Sequence, residues 1–179
     1  MTKEGCSLVG KWLYRNPVRM EEPIMDKKIN ILVAGACGSG KSTLIQTVMD
    51  TGKADSKMCF YEMNDTVVEE KPGIHMLWYC MDASSNRLSK DILEDYEEIK
   101  NEWDGIPIIV ALTKSDYVTE DDDNIARVRE AMSRKGEITE EPLAFIPVSI
   151  PIGGGNTKAR GITELIDFTL ANMDMTSCL

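Results

Sequence analysis

Hydrophobic positions along this chain fall into two alternating patterns. Near-continuous apolar runs of strand length occur at Ile29–Ala34, Met58–Met63, Ile74–Met81, Ile106–Leu112 and Leu143–Val148, rich in Val, Ile, Met and aromatic residues. Between them, apolar residues recur at helical spacing. One set is Leu44, Ile45, Val48 and Met49, and a second is Ile92, Tyr96, Ile99 and Trp103. A third is Ile125, Val128 and Met132, entered through the carboxylates of Glu120–Asp123, and the last is Ile162, Leu165, Ile166 and Leu170. The run Ile106–Leu112 is apolar at nearly every position, as suits a parallel strand covered on both faces. Strands alternating with helices predict an α/β domain over residues 28–179, a three-layer αβα arrangement around a mostly parallel sheet. Such sheets take their ligands at the carboxyl ends of the strands.

Residues 1–27 stand outside the alternation. They carry Leu8, Val9, Trp12, Leu13 and Tyr14, too apolar for a free tail, followed by Pro17 and Pro23. This stretch reads as an N-terminal extension that docks on the domain, with an interaction surface as the other reading.

Composition narrows the classes of partner. The net charge of −10 argues against a broad nucleic-acid or anionic-membrane footprint, since both partners are polyanions. No apolar run reaches membrane-span length, and the first residues lack the apolar core of a signal peptide. The cysteines Cys6, Cys37, Cys59, Cys80 and Cys178 form no CxxC pair, so reduced thiols in a cytoplasmic protein are expected. His75 lies in a strand pattern and reads as a packed residue rather than a catalytic one.

The chemistry is concentrated after two strands. Gly35-Ala36-Cys37-Gly38-Ser39-Gly40-Lys41-Ser42 fits GxxxxGK[ST], directly after one strand and opening a helix. Glycines let the backbone curl so that successive N–H groups, reinforced by the helix dipole, face phosphate oxygens. The expected nucleotide contacts are Gly35, Cys37, Gly38, Ser39, Gly40, Lys41, Ser42 and Thr43. Lys41 bridges the β- and γ-phosphates as the charge-stabilising catalytic group, and the Ser42 hydroxyl ligates Mg²⁺. Thr113-Lys114-Ser115-Asp116 follows the strand Ile106–Leu112. A carboxylate there accepts two hydrogen bonds from guanine, at N1–H and the 2-amino group, whereas adenine leaves it unpaired. The Lys114 stem can lie over the base. Ser149 and Ile150, after the last strand, are positioned to touch the base edge.

A P-loop, then TKSD, then a serine after the last strand resemble the G domain of Ras-like and Era-like GTPases, whose motifs read GxxxxGKS, DxxG, [NT]KxD and SA. Ile74–Asp82 and Gly161–Ile166 are similar to the matching strand and last helix of bacterial Era-type domains, and the resemblance spans residues 28–173. It implies GTP and GDP as ligands, Mg²⁺ as cofactor, hydrolysis of GTP to GDP, and a protein partner or regulator. Two departures qualify it. The best match to DxxG is Asp65-Thr66-Val67-Val68, where Val68 replaces the glycine; Asp65 is the expected metal aspartate, ahead of the rival Glu70-Lys71-Pro72-Gly73. Lys41 and Asp65 are also only 24 positions apart (65 minus 41), too few for a mobile loop and two further strands. The antiparallel edge strand is therefore missing or supplied by residues around Leu8–Tyr14. Thr51 reads as part of a helix C-terminal turn, and no catalytic glutamine is present. Weak GTP hydrolysis is expected, with a catalytically weak guanine-nucleotide-binding interaction module as the alternative. A small-molecule kinase is disfavoured because TKSD has no role in one.

Overall fold

Parallel strands covered on both faces must be apolar on both faces, and here the two parities of each strand feed two separate cores. The computed structural model describes residues 28–54, 57–63, 73–84, 90–115, 126, 128, 130, 132, 142–151 and 158–176. Five strands, β1 (Ile29–Ala34), β2 (Met58–Glu62), β3 (Met76–Asp82), β4 (Ile108–Thr113) and β5 (Ala144–Pro147), form one sheet in the order β2-β1-β3-β4-β5. Every pairing is parallel, with Ile29 opposite Met58, Ile31 opposite Met76, Leu77 opposite Ile108 and Ile109 opposite Ala144.

The helices are α1 (Lys41–Asp50), α2 (Lys90–Glu102) and α3 (Ile162–Thr176), and Ala126, Val128, Glu130 and Met132 are also helical. Ile31, Val33, Trp78, Cys80, Ile109 and Ala111 face α1 and α3, whose Leu44, Val48, Leu165 and Ile166 are buried against them. Leu32, Ala34, Leu77, Tyr79, Val110 and Leu112 face the other way, onto Leu93, Tyr96 and Ile99 of α2 and onto Val128 and Met132. The result is the α/β, three-layer αβα P-loop fold. Trp78 is fully buried, and its Nε1 donates to Thr169 Oγ1 at 3.1 Å, so the one polar atom of the indole is satisfied within the core.

Several helix faces differ from the periodic expectation. Met49 is 48% exposed, leaving Leu44 and Val48 to anchor α1. On α2 the buried stripe is Leu93, Tyr96 and Ile99, and the side chain of Ile92 lies outside the described residues. On α3 Leu170 is half-buried while Thr169 is enclosed, because its hydroxyl donates back to the Leu165 carbonyl at 2.7 Å. His75 is structural: its Nδ1 accepts from the Asn30 amide at 3.0 Å and its own amide donates to the Asn30 carbonyl at 2.9 Å.

The shortened region after α1 has a direct structural form. Thr51 closes the helix, its hydroxyl donating to the Val48 carbonyl at 2.6 Å. Only residues 51–57 then separate α1 from β2, which pairs with β1 in parallel. Among the described residues there is no antiparallel edge strand; Leu8–Tyr14 lie outside them. From β1 the chain reaches β2 on one side and β3 on the other, so the strand order reverses at β1. That reversal opens a crevice at the carboxyl ends of β1 and β3.

Candidate functional site

The crevice is filled by the glycine-rich turn between β1 and α1. Gly38 (φ 76°) and Gly40 (φ 91°) hold left-handed backbone, and Gly40 opens α1 with its carbonyl accepting from the Leu44 amide. Gly35 has a second reason to lack a side chain, since a Cβ there would overlap the Cys80 carbonyl oxygen of β3. The turn therefore lies flat against the sheet edge, with the amino end of α1 opening into a cleft of about 640 Å³. Gly35, Ala36, Cys37, Gly38, Gly40, Lys41, Ser42 and Thr43 line it. Unpaired N–H groups at a helix start and one ammonium make this an anion site. The Lys41 ammonium rests on the carbonyls of Gly35 at 2.7 Å and Ala36 at 3.2 Å.

Opposite Ser42 stands a carboxylate that belongs to none of the sequence motifs. Ser42 Oγ donates to Glu62 Oε1 at 2.7 Å, and Glu62 is the last residue of β2, at the carboxyl end where a metal-binding acid belongs. A hydroxyl and a carboxylate converging beside an anion site are hard oxygen donors and fit Mg²⁺. In the sequence this acid stands at the strand end, three positions ahead of Asp65, as a glutamate rather than the aspartate of DxxG. Asp65 itself lies outside the described residues. Asp95 of α2, also unforeseen, lines the cleft, and its Oδ2 accepts from the Tyr79 hydroxyl at 2.7 Å. Burial and this carboxylate both push the Tyr79 phenol well above its ordinary range.

The segment expected to recognise a base begins where β4 ends. Thr113 is buried, and its hydroxyl donates to the Ser39 carbonyl at 2.6 Å, with the Met81 carbonyl at 3.2 Å as a second acceptor within reach. This joins the phosphate turn to the end of β4. Lys114 takes left-handed backbone (φ 56°), and its Nζ pairs with Asp82 Oδ2 at 2.6 Å while the side chain lines the cleft. Asp82 Oδ1 accepts from the Ser84 amide and hydroxyl. Partial burial alone would raise the Asp82 carboxyl, but the bonds from Lys114 and Ser84 outweigh it and hold the group below the ordinary carboxylate range. Asp116 lies outside the described residues.

The β5 end stands beside this segment. The Ser115 amide donates to the Val148 carbonyl at 3.3 Å, and Ser149 is buried, exchanging backbone hydrogen bonds with Arg160. Gly161 allows this pairing, since a Cβ there would overlap the Pro147 carbonyl oxygen. Ile150 packs toward the core on the α1 and α3 side, and neither Ser149 nor Ile150 lines the phosphate cleft. A second hollow of about 400 Å³, lined by Tyr96, Trp103, Pro107 and Leu143 among others, lies at the opposite end of the strands.

No protein-family profile matches the sequence, and no curated protein matches it. Solved structures do share the fold. Translation elongation factor SelB of Methanococcus maripaludis aligns with a TM-score of 0.56 and 22% identity, over 83% of this chain and 34% of SelB. A GTP-binding protein from Sulfolobus solfataricus, solved with GDP, aligns at 0.54 and 18%, over 84% of this chain and 53% of that one. A Plasmodium falciparum protein assigned as nucleolar GTP-binding protein 1 aligns at 0.59 and 15%, over 87% and 91%. The chain thus spans about a third of SelB and about half of the Sulfolobus protein.

Proposed function

We propose that this chain binds GTP and GDP with Mg²⁺ and hydrolyses GTP slowly. The observation that carries the reading is the Thr113–Ser39 bond, which makes the phosphate turn and the strand leading into Asp116 one unit. Phosphates would lie on the turn from Gly35 to Thr43, with the base between Lys114 and Ser149, read by Asp116. The GTP-binding proteins that share the fold support this reading.

Mg²⁺ would be held by Ser42 and a carboxylate, with Glu62 adjoining Ser42 and Asp65 as the acid that DxxG implies. When bound, the ion would neutralise charge on the β- and γ-phosphates. Lys41, whose ammonium has three donors, would turn toward the bridging oxygens, and the turn's N–H groups would stabilise the charge that develops on the leaving group. The free thiols Cys37, Cys59 and Cys80 suit a cytoplasmic setting, and a protein regulator could supply what the shortened region lacks.

Mass spectrometry of the nucleotide retained through purification tests this directly. Guanine nucleotide is expected, with GTP preferred over ATP by a factor on the order of 10³. Equal competition by ATP would overturn the reading, as would GTP binding unaffected by Asp116→Asn. A guanine-nucleotide-binding interaction module with negligible turnover is favoured by the brevity of residues 51–57 and by Val68. Single-turnover hydrolysis of labelled GTP separates the two. A rate near the roughly 10⁻⁴ s⁻¹ of an unassisted small GTPase supports the enzyme; tight binding without turnover supports the module.

A further inference from the structure

We infer that Asp82, at the carboxyl end of β3, is a positioning residue for the nucleotide base, acting by holding Lys114 in the orientation that binds it; this rests on the guanine-nucleotide reading above. The geometry is specific. Asp82 and Thr113 are register partners across β3 and β4, so the residue after Thr113 starts one strand away from the carboxylate. The Ala83 amide donates to the Thr113 carbonyl at 2.8 Å, which locks the two strand ends together. Lys114 then turns through left-handed backbone, costly for a residue with a Cβ, and its ammonium lands on Asp82 Oδ2 at 2.6 Å. Asp82 is itself fixed, because its other oxygen accepts from the Ser84 amide at 2.9 Å and hydroxyl at 2.6 Å. Both partners are half-buried, at 35% and 24% exposure, so the pair is shielded yet borders the cleft that Lys114 lines.

A lysine stem has four rotatable bonds, and ordering it on a ligand costs binding free energy. Here both ends of the stem are anchored before the ligand arrives, one by the Thr113 backbone and the other by Asp82. The anchored stem offers its apolar flank as a fixed surface for a planar base. The carboxylate needs no contact with the nucleotide to do this.

The sign of the effect distinguishes positioning from simple electrostatics. Removing a carboxylate near a bound polyphosphate should tighten binding on charge grounds. Positioning requires the reverse. Asp82→Ala is expected to weaken GDP about fivefold, the scale of re-ordering one long side chain, while inorganic tripolyphosphate, which has no base to position, binds as tightly as to the parent or tighter. Asp82→Asn keeps the shape and the Ser84 bonds, guards against misfolding, and should fall between the parent and Asp82→Ala. Because Asp82 acts through Lys114, the double variant Asp82→Ala/Lys114→Ala should bind GDP no more weakly than Lys114→Ala alone. Calorimetry on the full chain reads all of these. Parent binding of GDP with Asp82→Ala equal or tighter, or additive losses in the double variant, overturns the inference alone. A parent that binds no guanine nucleotide overturns the underlying reading and the inference with it.

Discussion

The two halves of the cleft are held by different means. On the side of Thr113 and Lys114 the ties run through buried or half-buried atoms across long stretches of chain, Thr113 to Ser39 over 74 positions and Lys114 to Asp82 over 32. On the phosphate and metal side, the Lys41 ammonium is satisfied by carbonyls of its own turn, and Ser42 meets Glu62 at the exposed edge of the sheet. Bonds of the first kind need not change when a ligand arrives, and burial makes them costly to break. On the proposed reading those of the second kind would change in part, since Ser42 would exchange Glu62 for a metal and the Lys41 ammonium, with three N–H donors, would turn toward a phosphate. If the proposed reading holds, the base side would be preformed in this fold, whereas the response to a terminal phosphate and a metal would depend on contacts that rearrange.

The sharpest way to break that contrast is Lys41→Ala. The loss of a charge-assisted contact should weaken GDP by at least about 10²-fold, measured by calorimetry. The apo protein should keep its circular dichroism and its thermal midpoint, because among the described residues the Lys41 ammonium bonds only to carbonyls of its own turn. An unfolded variant would show that the metal side is structural too.

Thr113→Val reverses the expectation. The swap preserves shape but strands the Ser39 carbonyl, and should cost about 1–3 kcal/mol of apo stability in urea unfolding, with Thr113→Ser recovering most of it. By comparison Glu62→Gln, at the edge strand, should change stability by less than about 0.5 kcal/mol. It should instead raise the Mg²⁺ concentration needed to support GDP binding, by roughly tenfold, as expected when one acid of the metal environment loses its charge. A large stability loss in Glu62→Gln would place the metal side among the preformed contacts.

These contrasts track what could be read from the sequence. The strands were legible because a parallel sheet needs apolar residues on both faces, and Ile108–Thr113 falls within one residue of the expected end. The phosphate turn was legible because its backbone demands glycines at fixed offsets. Glu62 was missed because a glutamate stands where an aspartate was sought, and only the Ser42 contact reveals it. Asp82 and Asp95 were invisible for another reason: their partners, Lys114 and Tyr79, are 32 and 16 positions away, and no local pattern encodes such pairings. On the helices, Met49 is exposed and Leu93 is buried against the periodic expectation, because a periodic stripe leaves its edges open by one position.

The smallest expected effect concerns the sheet beneath the metal side. Cys80 is enclosed under the phosphate turn, and burial pushes its thiol up to about 12; Lys41 pulls it down somewhat and Glu62 pushes it further up. Its folded value therefore lies above the unfolded value of 9.0, so the neutral thiol contributes stability that is fully present below pH 9. That contribution is lost as pH rises toward 12, because the unfolded chain ionises first. At about 1.4 kcal/mol per pH unit, the loss reaches roughly 1 kcal/mol by pH 10. Tyr96, which burial also pushes up to about 12, adds a second decline only above pH 10. Cys80→Ala should begin less stable at pH 8, since it removes a buried sulfur, yet lose less on going to pH 10 than the parent does. Urea midpoints at pH 8, 9 and 10 measure the difference in slope. Equal slopes in the two proteins would mean that the thiol is reached by solvent, and that the turn above it opens more readily than its glycine-fitted contact with β3 implies.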